Sequence, residues 1–437
     1  MTGLADIQLE EMADKWRVTP LKDQVKLTNG STFKASDWKT SGIPIIRIQN
    51  LKDSTAPFNY FEGDPTSEVP IEEGDLLFSW SGSKGTSFGP HMWHGPLGVL
   101  NQHIFKVIPK NDADVDRFFL YFALKYLTVR IEEKACGLAA LVHVRKGDLE
   151  STPIPFPPLP EQKKIAYVLS TVQRAIEQQE RIIALTTELK KSLMHKLFTE
   201  GTRDEPQKQT EIGLVPESWA VVPLGEMFQI KHGFAFDGNF FELKGDFILM
   251  TPGHFNEEDG FRNQEEKTKY YTGSIPETFI LREGDLLVAM TEQKAGLLGS
   301  SAFVPEPNRY LHNQRLGLIE KLNTARLQKR FLYHVFNTPR VRIDIAKTAT
   351  GSKVKHTSPG KIQAVCIGLP DIDEQIQIAE ALDTLERKVA LHHQKRLVLS
   401  NLFKSLLHQL MTAQIRVANL DLATDISHTE PKEAVPV

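Results

Sequence analysis

The stretch PLPEQKKIAYVLSTVQRAIEQQERI, residues 158–182, returns in altered form as LPDIDEQIQIAEALDTLERKVALHH, residues 369–393. Each copy opens on a proline-punctuated run. Residues 161–198 then contain neither glycine nor proline, so nothing in them breaks a helix. Ile165, Leu169, Val172, Ile176, Ile183, Leu193 and Leu197 fall on alternating three- and four-residue steps, and Ile378, Leu382, Leu385, Val389, Leu399, Phe403, Leu406 and Leu410 do the same in the second copy. That spacing is a coiled-coil seam. Gln179, Thr186 and Lys190 interrupt the first stripe, and His392 and Arg396 the second. About 38 residues of helix span roughly 57 Å. A narrow apolar stripe cannot bury itself, so each helix needs a partner. The other helix is the nearest candidate, because the two stripes break at matching middle positions; a coiled coil with another chain is the alternative. The polar interruptions are expected to weaken the middle of the rod and to face another subunit.

Outward from these helices the whole chain proves to be duplicated. Trp16-Arg-Val-Thr-Pro20-Leu21 matches Trp219-Ala-Val-Val-Pro223-Leu224, and Asn29-Gly30 matches His232-Gly233. Glu73-Gly74-Asp75-Leu76-Leu77 matches Glu283-Gly284-Asp285-Leu286-Leu287; Asn101-Gln102 matches Asn313-Gln314; Glu161-Gln162 matches Glu374-Gln375. The order is kept and the separation drifts only from 203 to 213 residues, which chance does not produce. Between these positions the copies diverge: after GDLL one reads FSWSGSKGTSFGPHMWHGPLGV and the other VAMTEQKAGLLGSSAFVPEPNRY. Two related modules reading different targets would look like this, and so would drift in surface loops.

Each module mixes local signals. PIIRIQNL and NQHIFKVIP cluster β-branched residues as strands do, and EGDLL reads as a turn entering a buried strand. DRFFLYFALKYLTVRIEEKA has helical apolar spacing, with QKRFLYHVFNTPRVRIDIAK as its counterpart. The stretch GTRDEPQKQTEIGLVPESW reads as a polar linker. The fold class is therefore α+β: two homologous modules, each followed by one long helix.

Bulk composition narrows the function. The 437 residues suffice for two domains, with 41% hydrophobic and 24% charged residues and a net charge of −3. A pI near 6.6 carries no global basic signature. Two cysteines, Cys136 and Cys366, make neither a CxxC nor a disulfide framework. The N-terminal MTGLADIQLEEMADKW is acidic and does not read as a signal peptide, no run is long and apolar enough to span a membrane, and a cytoplasmic location is expected.

The repeated PLPEQKKIAYVLS with its second copy, TEIGLVPESWAVVPLGE and the EGDLL pair resemble the specificity subunit of type I restriction–modification systems, over essentially the whole chain to about residue 418. The resemblance implies target-recognition domains over residues 1–158 and 201–370, antiparallel spacer helices over 159–200 and 371–418, and a flexible tail over 419–437. It implies that each domain reads one half of a split, asymmetric sequence in double-stranded DNA. Two modification (methyltransferase) subunits would bind the helices and domains and methylate adenine. Restriction subunits would supply ATP-driven translocation and cleavage. S-adenosylmethionine, ATP and Mg would then sit on those partners, with no cofactor bound by this chain. DIDEQ in place of PLPEQ is a mild departure that bears on partner contacts in the second copy.

The residues agree with a non-catalytic chain. There is no GxxxxGK[ST] for nucleotide phosphates, no glycine-rich loop for S-adenosylmethionine and no NPPY-like or DPPY-like tetrapeptide. Asp259, Glu265 and Lys267 imitate a nuclease metal set only loosely. His91 and His94 have an HxxH spacing without an HExxH or a nearby cysteine, so no metal is expected. Base reading calls for polar side chains on loops that reach a groove, and phosphate positioning for cations and backbone N–H groups. In the first module Ser81, Ser83, Lys84 and Thr86 suit this, with Asn101, Gln102 and His103 as a second cluster and His143, Arg145 and Lys146 as a third. Their counterparts are expected to be Thr291, Gln293 and Lys294; Asn313, Gln314 and Arg315; and Lys353, Lys355 and His356. Trp80 and Trp93 are either core aromatics or base contacts. A single-chain methylase–nuclease is disfavoured by the missing motifs, and a coiled-coil adaptor joining two proteins without DNA is the competing function.

Overall fold

The structure, a computed structural model, describes residues 16–53, 56–134, 141–257, 260–293 and 295–420. Cys136, Asp259, Lys294 and residues 421–437 of the tail lie outside them. The chain divides into two compact units, residues 1–180 with 394–437 and residues 181–393. This division cuts across the linear one: each unit takes a module together with half of each long helix.

The same sheet is built twice. In unit 1 a four-stranded antiparallel sheet runs in the order Val25–Asn29, Ile104–Pro109, Leu76–Ser79, Gly89–Met92. In unit 2 the order is Gln229–His232, Leu316–Glu320, Leu286–Ala289, Ser301–Phe303. Leu76–Ser79 and Leu286–Ala289 are buried along their whole length, as the EGDLL reading expects. The turn before each is fixed identically: Asp75 Oδ2 accepts from the Glu72 amide and Asp285 Oδ2 from the Arg282 amide, both at 2.8 Å. Gly74 and Gly284 supply the left-handed φ there, 83° and 76°. A second four-stranded sheet in each unit contains a parallel pair, Ile43–Ile46 with Gly98–Leu100 and Phe247–Met250 with Tyr310–His312. PIIRIQNL is thus strand only to Ile46, and turns into a short helix at Ile48–Lys52.

Helix α1 (Arg117–Lys134) carries Phe119, Leu120, Phe122, Ala123, Leu124, Leu127 and Ile131 into the unit 1 core. Its counterpart is split. α2 (Leu159–Glu200) is the first long helix; α3 (Lys329–Phe336) ends before Thr338-Pro339, and a new helix starts at Pro339. Proline has no amide for the helical ladder and disfavours helical geometry in the residue before it. The polar linker also differs from expectation, since Gln207–Thr210 and Gly213–Pro216 form a hairpin.

The second long helix is α4 (Ile372–Met411). In unit 1 the start of α2 (Ile165, Ala166, Leu169) shares a core with the end of α4 (Phe403, Leu407, Leu410, Met411). In unit 2 the end of α2 (Met194, Leu197) shares one with the start of α4 (Ile378, Ala379, Leu382). Start against end is an antiparallel pairing, and the seam is intramolecular. Val172, Ile176, Leu193 and Leu406 pack on these cores half-buried, and Leu385 and Val389 are half-buried too. Two of the polar interruptions do not face outward as expected. Thr186 and Lys190 are buried, and Lys190 Nζ meets Glu386 Oε1 at 2.7 Å. Arg396 pairs with Glu180 at 3.3 Å.

The duplicated Glu-Gln is an intramolecular clasp. Gln162 accepts from the Asp116 amide and donates to the Asp114 and Pro157 carbonyls; Gln375 accepts from the Gln328 amide and donates to the Arg326 and Pro370 carbonyls, all at 2.8–2.9 Å. Glu161 accepts from Trp16 Nε1 at 3.2 Å and Glu374 from Trp219 Nε1 at 3.1 Å. A cation from beyond the end of the opposite helix closes each. Arg416 binds Glu161 through two 2.7 Å hydrogen bonds, and Arg203 stands 3.7 Å from Glu374. Burial pushes the Glu161 carboxyl up, but the Arg416 and Trp16 hydrogen bonds outweigh it and hold it below the usual range. DIDEQ therefore performs the same internal task as PLPEQ.

Candidate nucleic-acid interface

In each module one residue is clamped where the buried strand leaves the sheet. The Trp80 amide donates to the His103 carbonyl at 3.1 Å, and the Trp80 carbonyl accepts from the Val144 amide at 3.0 Å. At the equivalent place the Met290 amide donates to the Arg315 carbonyl at 3.0 Å, and the Met290 carbonyl accepts from the Thr357 amide at 2.9 Å. The chain then continues into Ser81–Ser83, paired with Leu141–His143, or into Thr291–Glu292, paired with Lys355–His356. Three loops far apart in sequence are thereby brought to one surface.

Glycine makes the close approach possible. A Cβ at Gly30 would lie 2.1 Å from the Asn101 carbonyl oxygen, and one at Gly233 would lie 2.0 Å from that of Asn313. This accounts for the repeated Asn29-Gly30 and His232-Gly233. Asn101 and Asn313 then form the turn itself, their Oδ1 atoms accepting from the Gln102 and Arg315 amides at 2.9 Å.

On this shared frame the displayed chemistry differs. In unit 1 Trp80 stacks on Phe105 with ring centres 5.8 Å apart, and meets His103 at 4.8 Å and His143 at 4.9 Å edge to face. Its Nε1 donates to Asn29 Oδ1 at 3.0 Å, and His143 Nδ1 lies 3.0 Å from Ser81 Oγ. In unit 2 Met290 replaces the indole, His232 replaces Asn29 and Arg315 replaces His103. The hydroxyl–imidazole pair recurs as Thr291 Oγ1 and His356 Nδ1, 3.3 Å apart. Such a pair is the beginning of a nucleophile and base, but among the described residues no carboxylate orients either imidazole, and one hydroxyl is a threonine. What remains is a set of donors and acceptors suited to hydrogen bonding.

The remaining candidates sort around this centre. Ser83, Lys84 and Thr86 lie on an exposed turn that α1 holds down: Lys84 Nζ donates to the Glu132 carbonyl at 2.9 Å and the Gly85 amide to Glu132 Oε1 at 2.7 Å. In unit 2 buried Glu292 does this from within the loop, accepting from the Gly296, Leu297 and Leu298 amides at 2.9–3.0 Å. Gln102 accepts from Thr32 Oγ1 at 3.1 Å, whereas Gln293 and Gln314 are exposed. Arg145, Lys146, Lys353 and Lys355 are exposed, with Lys146 3.6 Å from Glu150. The expected matching of the third clusters shifts: His143 is equivalent to His356, so Arg145 falls against Ser358 and the unit 2 lysines precede the histidine. Trp93 is a core residue, buried, with its Nε1 donating to the Pro96 carbonyl at 3.0 Å. Sequence reasoning missed the partners Asn29, Glu132 and Glu292; only Asn29 had a signal, as part of the repeated Asn/His-Gly.

One His-carboxylate group among the described residues has metal-ligand spacing, His334, Asp383 and Glu386, with ligand atoms within 4.8 Å. Cations already hold its carboxylates. Arg330 donates to both Asp383 oxygens, and Lys190 and Tyr333 bind Glu386 at 2.7 and 3.2 Å. His334 Nε2 lies 2.7 Å from Asp383 Oδ1. The group is an ionic lock between α3, α4 and α2. His91, of the HxxH, has its Nε2 3.2 Å from the Ser87 carbonyl.

Residues 13–187 and 216–401 each match the family model of the type I restriction modification DNA specificity domain. The chain is similar to the type I restriction enzyme MjaVIII specificity subunit of Methanocaldococcus jannaschii, 26% identical over 93% of this chain and 95% of that one. It is also similar to the EcoBI specificity subunit of Escherichia coli, 23% identical over 94% of this chain and 89% of that one. Its fold resembles the crystal structure of the type I restriction-modification system S subunit from M. genitalium, with a TM-score of 0.58 and 15% identity over 94% of this chain and 99% of that one. Among the described residues no helix is long and apolar enough to cross a membrane.

Proposed function

Because the chain belongs to the type I restriction–modification DNA specificity family, whose task is recognition of a DNA target, we propose that each unit reads one half of a bipartite, asymmetric sequence. One observation carries this reading. The clamp at Trp80 and at Met290 is the same backbone frame and keeps the Asn-Gln turn and the hydroxyl–imidazole pair, yet Asn29, Trp80, His103 and Arg145 are replaced by His232, Met290, Arg315 and Ser358. A frame kept for folding with its display free to change is what two readers of unlike half-sites require. Bases are read by the hydroxyl, imidazole, amide and guanidinium groups of the patch, and phosphates by Arg145, Lys146, Lys353 and Lys355. The length of the helices shared by both units sets the unspecified gap between half-sites. The adaptor reading, which has no DNA in it, falls with family membership.

The chain itself is non-catalytic in this reading, and partner subunits methylate adenine and cleave. S-adenosylmethionine, ATP and Mg belong to those partners. The helices offer a basis for two modification subunits. Leu185 and Leu189 on α2 are 61% and 55% exposed, and Val398 and Leu402, at the equivalent turns of α4, are 66% and 44% exposed. Large apolar side chains left in water at two repeat-related places suit two copies of one partner. Serine at Leu185 and Leu189 together is expected to lower the complex from two modification subunits to one, read by mass photometry, while the chain stays folded.

The half-site reading is tested by exchanging residues 1–158 for the same segment of a relative and sequencing the methylome. One defined half of the methylated motif should change and the other should stay. A change in both halves would refute modular reading.

A further inference from the structure

In unit 1 the polar groups next to the Trp80 clamp are engaged with one another: Asn29 with Trp80, Ser81 with His143, and Gln102 with Thr32, while Arg145, beyond the third loop, is exposed. Arg315 in unit 2 is different. Its backbone is pinned on both sides, the amide by Asn313 Oδ1 at 2.9 Å and the carbonyl by the Met290 amide at 3.0 Å. Its side chain is exposed, and among the described residues its guanidinium has no hydrogen-bond or ion-pair partner. Arg330, Arg340 and Arg342 of this unit are spent internally, on Asp383, on Asp344 and Cys366, and on three loop carbonyls. Arg181, Arg282 and Arg326 are exposed and also without a side-chain partner among the described residues, but none of them lies on the three loops that meet at Met290. An arginine held by a rigid turn beside the Thr291–His356 pair, with its donors unspent, is arranged to meet something outside the chain.

We propose that Arg315 is a specificity-determining residue that selects a guanine in the half-site read by unit 2. This rests on the half-site reading above. A guanidinium offers two parallel N–H donors, and of the four bases only guanine presents two adjacent acceptors, O6 and N7, on its major-groove edge. Adenine places a donor beside its N7, and thymine a methyl group beside its O4. Phosphate contact is the other use of an exposed arginine, but Lys353 and Lys355, exposed on the neighbouring loop, already provide point charges for it. Unit 1 has His103 at this place and so lacks the two-pronged donor.

The test uses the full chain co-purified with its modification subunits, and duplexes carrying the motif found by methylome sequencing. Each guanine of the unit 2 half-site is replaced in turn by 7-deazaguanine, which lacks the N7 acceptor. At one position wild-type binding should weaken about tenfold. Arg315→Gln should weaken binding to the unmodified duplex by a similar factor and no longer respond to that replacement. Arg315→Lys, which keeps the charge and loses the paired donors, should behave as Arg315→Gln does. Wild-type affinity for Arg315→Lys would mean a phosphate contact and overturn the proposal. So would equal responses of wild type and Arg315→Gln at every guanine, or a half-site without guanine. Exchange of residues 201–370 for those of a relative is the control. If it leaves the motif unchanged, the half-site reading itself fails; if it changes one half while Arg315→Gln changes nothing, only the role of Arg315 fails.

Discussion

The two units bind the long helices with the same framework and opposite chemistry. In unit 1 the contact of α1 is aromatic: Phe122 meets Phe403 at 6.0 Å between ring centres, and Lys125 reaches Tyr121 and Gln173 at 3.2 and 3.3 Å. In unit 2 the same place holds Arg330, His334, Asp383, Glu386 and Lys190. Yet both units keep the Trp-Glu-Gln clasp and the Gly-Asn approach, atom for atom. The buried groups of the clasp are retained in both copies, because an orphaned donor or acceptor there costs more than the bond contributes. The contact with the helices has instead diverged, from aromatic packing in unit 1 to an ionic network in unit 2.

The clasp itself offers the strongest way to break this equivalence. Glu161 depends on Arg416 for two of its hydrogen bonds, whereas Glu374 also receives the Thr202 amide at 2.7 Å and the Thr202 hydroxyl at 3.1 Å. Arg416→Ala should destabilise unit 1 by about 2 kcal/mol, the cost of a buried carboxylate left short of donors. Arg203→Ala should have a smaller effect on unit 2, because Arg203 contacts Asp371 more closely than Glu374. Urea titrations of both variants measure the difference; equal losses would mean that the two clasps are equivalent after all.

The ionic lock predicts a subtler contrast. Burial pushes the Asp383 carboxyl up, but the hydrogen bonds from His334 and Arg330 outweigh it and bring it from 3.8 down to about 2. A carboxyl with a depressed pKa stabilises fully above its ordinary value and loses that contribution as pH falls through its folded value. Asp383→Asn should therefore cost about 1 kcal/mol at pH 5. Its gap to wild type should narrow as pH falls from about 4 towards 2. Unit 1 has Ser170 at the equivalent position and should lack this acid limb. A gap independent of pH would place the stabilisation elsewhere.

Much of the architecture was legible from the repeat alone. Helical spacing gave the long helices, and matching breaks in their stripes pointed to pairing with each other. Pro339 marks the break of the α3 region in the sequence, but comparison with the unbroken first copy points to one continuous helix. A polar break in the stripe at Thr186 and Lys190 predicts an outward face, since one-dimensional spacing cannot reveal that Glu386 waits across the seam for the lysine. The candidate interface was legible as three clusters, but not as one surface. Its assembly depends on backbone bonds at Trp80 and Met290 between loops distant in sequence. The third clusters match in the sequence as whole stretches, while the structure aligns them by the imidazole that meets the hydroxyl.

The central claim is that one frame, built twice, reads two half-sites. Its most direct test is a chain in which residues 16–156 are also placed over residues 219–369, so that both units carry the first reader. Sequencing the methylome of cells that express this chain with its partner subunits should give a motif whose two defined halves are both the first unit's half-site, with the gap unchanged. A motif that keeps the original second half would contradict the account.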